Sequence, residues 1–149
     1  MIYQILIHYK CNISKNKISL LLVILWMIFI FVMSSFDASS SSNQSNFIVD
    51  IITGIINIKD IGLLSLIIRK LAHFIEYFIL GILVINFITR YDKKIIIAIL
   101  LCIIYATSDE IHQIFVPGRS CQITDIMIDS LGSIMGIYLC KLITKKCKN

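Results

Sequence analysis

No C-x-x-C pair, no H-E-x-x-H and no Gly-x-Ser-x-Gly elbow occurs anywhere in these 149 residues. The five cysteines are scattered at 11, 102, 121, 140 and 147. An odd, unclustered set excludes a disulfide-framed scaffold and leaves the thiols as small apolar filler. Without the histidine motif there is no helical zinc-protease signature, and without the elbow no serine hydrolase of that type. Ser108, Ser120 and Ser130 have no evident base beside them. Charge is scarce as well, at 15% of residues, and the basic side chains are not gathered into one patch. A formal charge of +5 therefore does not mark a nucleic-acid-binding surface.

What the chain has instead is oil. It is 58% hydrophobic with a mean hydropathy of +0.89, against about 45–50% apolar in a soluble domain. Composition alone points to a membrane protein built as one domain over residues 1–149. A helix needs about 20 apolar residues to cross a bilayer. Four segments meet or approach this: 18–35, about 69–89, about 95–115 and about 123–143. The expected fold is all-α, a bundle of four transmembrane helices. The first span is expected to be retained rather than cleaved, because Phe36 and Met33 break the small-x-small rule at the two plausible cutting points.

The loops set the orientation. Lys10, Lys15 and Lys17 precede the first span; Arg90, Lys93 and Lys94 join the second and third; Lys141, Lys145, Lys146 and Lys148 close the chain. Four spans put these clusters on one side, which the positive-inside rule makes cytoplasmic, with both termini inside. The other side receives Lys59, Arg69, Lys70 and Arg119 and every acidic residue except Asp92. Its first segment, roughly 36–68, opens on the serine-rich FDASSSSNQSN. It continues as an apolar stretch broken by Asp50, Lys59 and Asp60, expected to lie in the outer interface as an amphipathic segment between the first two helices.

In this topology the polar residues of three spans meet at one depth. Lys70, His73, Glu76 and Tyr77 share a face at the start of the second span, at about 3.6 residues per turn. Tyr105, Asp109 and Gln113 recur every four residues along the third, beside Glu110 and His112. Asp125 and Asp129 continue into Gly132 and Gly136 on the fourth, a small-xxx-small stripe that allows close helix approach. Pro117-Gly118 is expected to make a tight turn, with glycine accepting positive φ, that carries Arg119 over the cluster. A charge at the bilayer centre costs about 2.5–3.5 kcal/mol even on the lenient insertion scale. The stripes are therefore expected to face one another, with Lys70 and Arg119 as counter-charges to the acids. His73, Glu76, Asp109, His112, Asp125 and Asp129 are all metal-ligand types, but they come from three helices in no metal-binding order, so neither a metal nor another cofactor is expected.

The segments R-K-L-A-H-F-I-E-Y-F-I-L-G (69–81), D-E-I-H-Q-I-F-V-P-G-R (109–119) and D-I-M-I-D-S-L-G-S-I-M-G (125–136), with Ser34-Ser35 ending the first span, resemble the VanZ-like family of small bacterial membrane proteins. Relatives more often have asparagine at the position of Asp129, so the resemblance does not require a carboxylate there. It implies a multi-pass protein of the bacterial cell (cytoplasmic) membrane that influences susceptibility to glycopeptide antibiotics of the teicoplanin type. Some relatives carry a phosphotransbutyrylase label, but no acyl-phosphate or coenzyme A site is visible here.

Three readings follow. In the first, an outward-facing pocket binds a membrane lipid through its anionic headgroup, a cell-wall precursor or the glycopeptide itself. Lys70 and Arg119 would contact the anion, and His73, Glu76, Asp109, Glu110, Gln113 and Asp125 would orient it, with Tyr77, His112 and Asp129 completing the lining. In the second, the chain is an enzyme on an envelope lipid, with Glu76 or Asp109 as base and His73 or His112 assisting. In the third, the polar network only holds the helices in register, as a structural or partner-binding subunit.

Overall fold

The computed structural model of the chain describes residues 2–36, 61–88 and 95–146. Four helices account for nearly all of them: α1 (Ile2–Ser34), α2 (Ile61–Ile88), α3 (Ile95–Gln113) and α4 (Ile123–Lys146). Among the described residues there is no strand. Each helix contains a stretch long and apolar enough to cross a membrane: Lys17–Ser34, Gly62–Ile88, Ile95–Gln113 and Ile123–Thr144.

The second helix starts eight residues earlier than its sequence pattern implies. Residues 61–68, expected in the interfacial segment, are the first turns of α2. At 28 residues this helix is about 42 Å long, whereas α3 with 19 residues is about 29 Å. The hydrocarbon core is about 30 Å thick, so α2 outruns it and Arg69 and Lys70 lie inside the helix. The serine-rich linker and the rest of the expected interfacial stretch, 37–60, fall outside the described residues, as does the basic connection 89–94.

Contacts at both ends fix the directions of the helices. The end of α1 meets the end of α3 through Ser35 and His112, and the first third of α2 meets the start of α4 through Lys70 and Asp125. At the other end Asn86 of α2 lies 3.6 Å from the Cys140 sulfur of α4. Successive helices therefore alternate in direction. The most extensive packing is between α2 and α4, with α3 against both and α1 resting mainly on α2.

Glycine makes that central pair possible. A Cβ on Gly81 would land on the Ser133 carbonyl oxygen, one on Gly132 on that of Phe74, and one on Gly136 on that of Phe78. The two backbones are close enough that only hydrogen fits, which is how small residues tighten helix contacts in lipid. The stripe Ala98, Cys102, Ala106 turns the narrow side of α3 to the same centre, where Ile30, Leu80 and Ile137 are buried. Ile104, Met127, Leu142 and many other large apolar side chains point outward. A soluble monomer does not expose such a surface; lipid solvates it.

Candidate functional site

The polar layer sits where α1 and α3 end and α4 begins. The last turn of α3 tightens, with Ile114, Phe115 and Val116 N–H groups bonding three residues back, a common way to end a helix. Pro117 cannot continue it. Arg119 N–H then bonds the Val116 carbonyl at 3.1 Å, and Gly118 has φ 74°. Proline followed by a positive-φ glycine in a four-residue turn is the type II pattern, as the sequence implies. The Gln122 carbonyl accepts the N–H groups of Asp125 and Ile126 to open α4.

Glu110 anchors this loop. Its Oε2 accepts the Gln122 N–H at 2.9 Å while the side chain is buried at the end of α3. Lys70 donates to Asp125 Oδ1, joining α2 to the first turn of α4, and a carboxylate there also suits the positive end of the helix. Two further bonds register α1 against its neighbours. Trp26 Nε1 donates to the Glu76 carbonyl at 2.9 Å, and Tyr105 OH to the Met27 carbonyl at 2.6 Å.

Deeper in the bundle lies a group of buried polar side chains. Tyr77, Asp109, Gln113 and Asp129 are buried, as are Ser34 and Ser133. Among the described residues the Tyr77 hydroxyl, both carboxyl oxygens of Asp109 and of Asp129, Ser34 Oγ and Gln113 Nε2 find no hydrogen-bond partner. Ser34 and Gln113 flank Asp109 without reaching hydrogen-bond geometry. Glu76, Asp109, Glu110 and Asp125 are all within electrostatic reach of Asp129. Ionisable groups at membrane depth are costly and rare, so their concentration here makes this layer the candidate site.

Above this layer opens a small cleft lined by Arg69, His73, Gln113, Gly118, Arg119, Ser120, Gln122 and Asp125. Its volume is about 60 Å³, room for about four waters at roughly 15 Å³ each and so for a single phosphoryl or carboxylate group, not for a large molecule. Neither Arg69 nor Arg119 has a carboxylate within 4.0 Å among the described residues, and Arg119 Nε is buried without a partner. Burial, and then the neighbouring Arg69 charge, pull the Arg119 guanidinium below its ordinary pKa. Two unpaired guanidiniums held near one another present a fork of donors suited to phosphate or carboxylate. His73 stands beside them, its Nδ1 3.9 Å from Glu76 Oε2.

The structure thus brings His73, Gln113, Arg119 and Asp125 to the cleft, with Glu76 behind His73. Tyr77, Asp109 and Asp129 lie in the deeper layer, and Glu110 holds the loop. Lys70 is committed to Asp125, and Arg69, which sequence reasoning left out, takes the position at the cleft expected of it. His112 turns to α1: its Nε2 is 3.1 Å from Ser35 Oγ and its ring lies 4.4 Å from that of Phe31. Ser34, expected only as part of the Ser-Ser ending of the first span, flanks Asp109, and Ser120, expected only as a serine without a base, lines the cleft with Gln122, a neutral residue with no chemical signature of its own. Among the described residues no three of the His, Cys, Asp and Glu side chains group as they would to hold a metal ion.

No curated protein and no solved structure matches the chain. The family model described as VanZ/LLP1 matches residues 19–144, which takes in the first span from its third residue, the other three spans, the loop that carries Arg119 and every residue of the cleft. The chain is a multi-pass membrane protein belonging to the VanZ-like family.

Proposed function

We propose that this protein sits in the bacterial cytoplasmic membrane with both termini inside and binds, in its outward-facing cleft, one anionic group of an envelope molecule. The group is the phosphate of a lipid headgroup or of a lipid-borne wall precursor, or a carboxylate of a glycopeptide. By holding it, the protein alters susceptibility to teicoplanin-type antibiotics. The observation that carries this reading is the pair Arg69 and Arg119, unpaired with any described carboxylate and lining one small cleft at the helix ends. The size of the cleft favours a small charged group on a molecule whose bulk stays in the membrane or at its surface, and disfavours enclosure of a whole glycopeptide.

A teicoplanin-susceptibility assay in a sensitive host tests this, with membrane levels checked by immunoblot. The wild-type chain should shift the inhibitory concentration. Arg119→Lys, which keeps the charge but loses the planar fork, should lose the shift at equal membrane level. A second reading has support of its own: the Trp26, Tyr105, Glu110 and Lys70 bonds hold the helices in register. If that were the whole role, Arg119→Lys would leave the shift intact.

A further inference from the structure

The cleft holds more than anion donors. His73 lines it together with both arginines, and the Nδ1 side of its ring is buried against Glu76. That leaves Nε2 as the ring nitrogen available to the cleft. The Nδ1 to Oε2 distance of 3.9 Å is longer than a hydrogen bond, as catalytic contacts in ligand-free sites often are. A carboxylate behind an imidazole fixes its tautomer and steadies the charged form. Guanidiniums on a phosphoryl group stabilise the charge that builds on its oxygens. A carboxylate-backed imidazole beside two guanidiniums is therefore a base placed next to a phosphate clamp.

We infer that the cleft hydrolyses the phosphate monoester of a long-chain lipid, with His73 as general base, Arg69 and Arg119 as the phosphoryl clamp, and Glu76 as the residue that positions His73. This rests on the anion-binding reading above and adds turnover to it. Water is the co-reactant. His73 Nε2 takes a proton from water as the water oxygen bonds to phosphorus. The bond between phosphorus and the lipid oxygen breaks on the side opposite the entering water; that oxygen takes its proton from solvent at the cleft mouth, and the imidazolium gives its own proton back to solvent. The products are the lipid alcohol and inorganic phosphate, and nothing is oxidised or reduced. A lipid substrate is favoured over a soluble ester by the surroundings. Leu66 and Leu71 near Arg69, and Phe115 and Ile123 flanking the loop, are exposed apolar side chains beside which a hydrocarbon tail can lie.

The test uses the full chain, purified in detergent, with dioctanoyl phosphatidic acid and an isoprenyl monophosphate as lipid probes and glycerol 3-phosphate as the soluble one. Phosphate release and lipid binding are measured on the same samples. The wild type should release phosphate from at least one lipid probe and not from the soluble ester. His73→Gln should lower turnover by about 100-fold or more while still binding lipid. Glu76→Gln, whose main-chain bond to Trp26 is untouched, should lower kcat with KM unchanged, an outcome a purely structural role would not give. Binding of both lipids without release of phosphate overturns hydrolysis and leaves the binding reading standing. Absence of both overturns the two together. Turnover confined to the soluble ester, or full turnover in either variant, also sinks the assignment.

Discussion

Glu110 is an acid almost wholly enclosed at the end of α3, and its visible work is mechanical: it holds the N–H of Gln122 and so the loop that carries Arg119. Glu110→Gln keeps an acceptor oxygen and should unfold in detergent near the wild-type temperature. Glu110→Ala leaves the N–H unpaired and should be destabilised by about 1–3 kcal/mol, seen as a lower midpoint in thermal unfolding. Equal midpoints for Ala and wild type would refute the anchoring role. At this level much of the site was readable, because Tyr77, Asp109, Gln113, Asp125 and Asp129 lie on helical stripes that pattern alone exposes. The choice between Arg69 and Lys70 was not readable. Adjacent residues point about 100° apart around a helix, and only the placement of α4 and the 114–122 loop decides which of two neighbouring cations meets the cleft and which meets Asp125. The neighbours of His112 were hidden for the same kind of reason, although it stays within electrostatic reach of Asp109. Its position in the acidic run suggested the cluster, while packing turned its ring to Phe31 and Ser35.

Between helices, the decisive contact is that of α2 with α4. Gly132-x-x-x-Gly136 announced a close approach, and the structure supplies its partner surface, the carbonyls of Phe74 and Phe78 on α2. Gly81 makes the reciprocal contact with Ser133, which no pattern had indicated, since a lone glycine in an apolar run carries no motif. Gly136→Ile places a branched side chain against main chain that cannot give way. Overpacking of this kind costs about 1–3 kcal/mol and occasionally more, and here it should also separate the helices that hold Lys70 and Asp125. Gly136→Ile should therefore run as a broad or aggregated species in size-exclusion chromatography, whereas Met135→Leu, at an exposed lipid-facing position, should run as the wild type. A monodisperse Gly136→Ile protein with unchanged melting would show that the close approach is dispensable. The early start of α2 was hidden because charges normally mark the edge of a span. Arg69 and Lys70 suggest an end, but a helix longer than the hydrocarbon core can carry charges within its length.

For the whole molecule, the spans were legible because lipid demands long apolar runs, and alternation followed from counting them. The contacts between Ser35 and His112 at one end and between Asn86 and Cys140 at the other give that alternation its geometry. Neither fixes which end faces the outside; that rests on the distribution of lysine and arginine. Cys121 provides the test, because it is exposed in the very loop that carries Arg119, while residue 92 lies in the connection between α2 and α3. A membrane-impermeant maleimide applied to intact cells should label the wild type and not Cys121→Ser. In a background where Cys11, Cys121 and Cys147 are all replaced by serine, Asp92→Cys should be labelled only after the membrane is permeabilised. Labelling of residue 92 from outside, with Cys121 reached only after permeabilisation, would turn the cleft to the cytoplasm and contradict an outward-facing site; labelling of both from the same side would mean that the polar layer does not form.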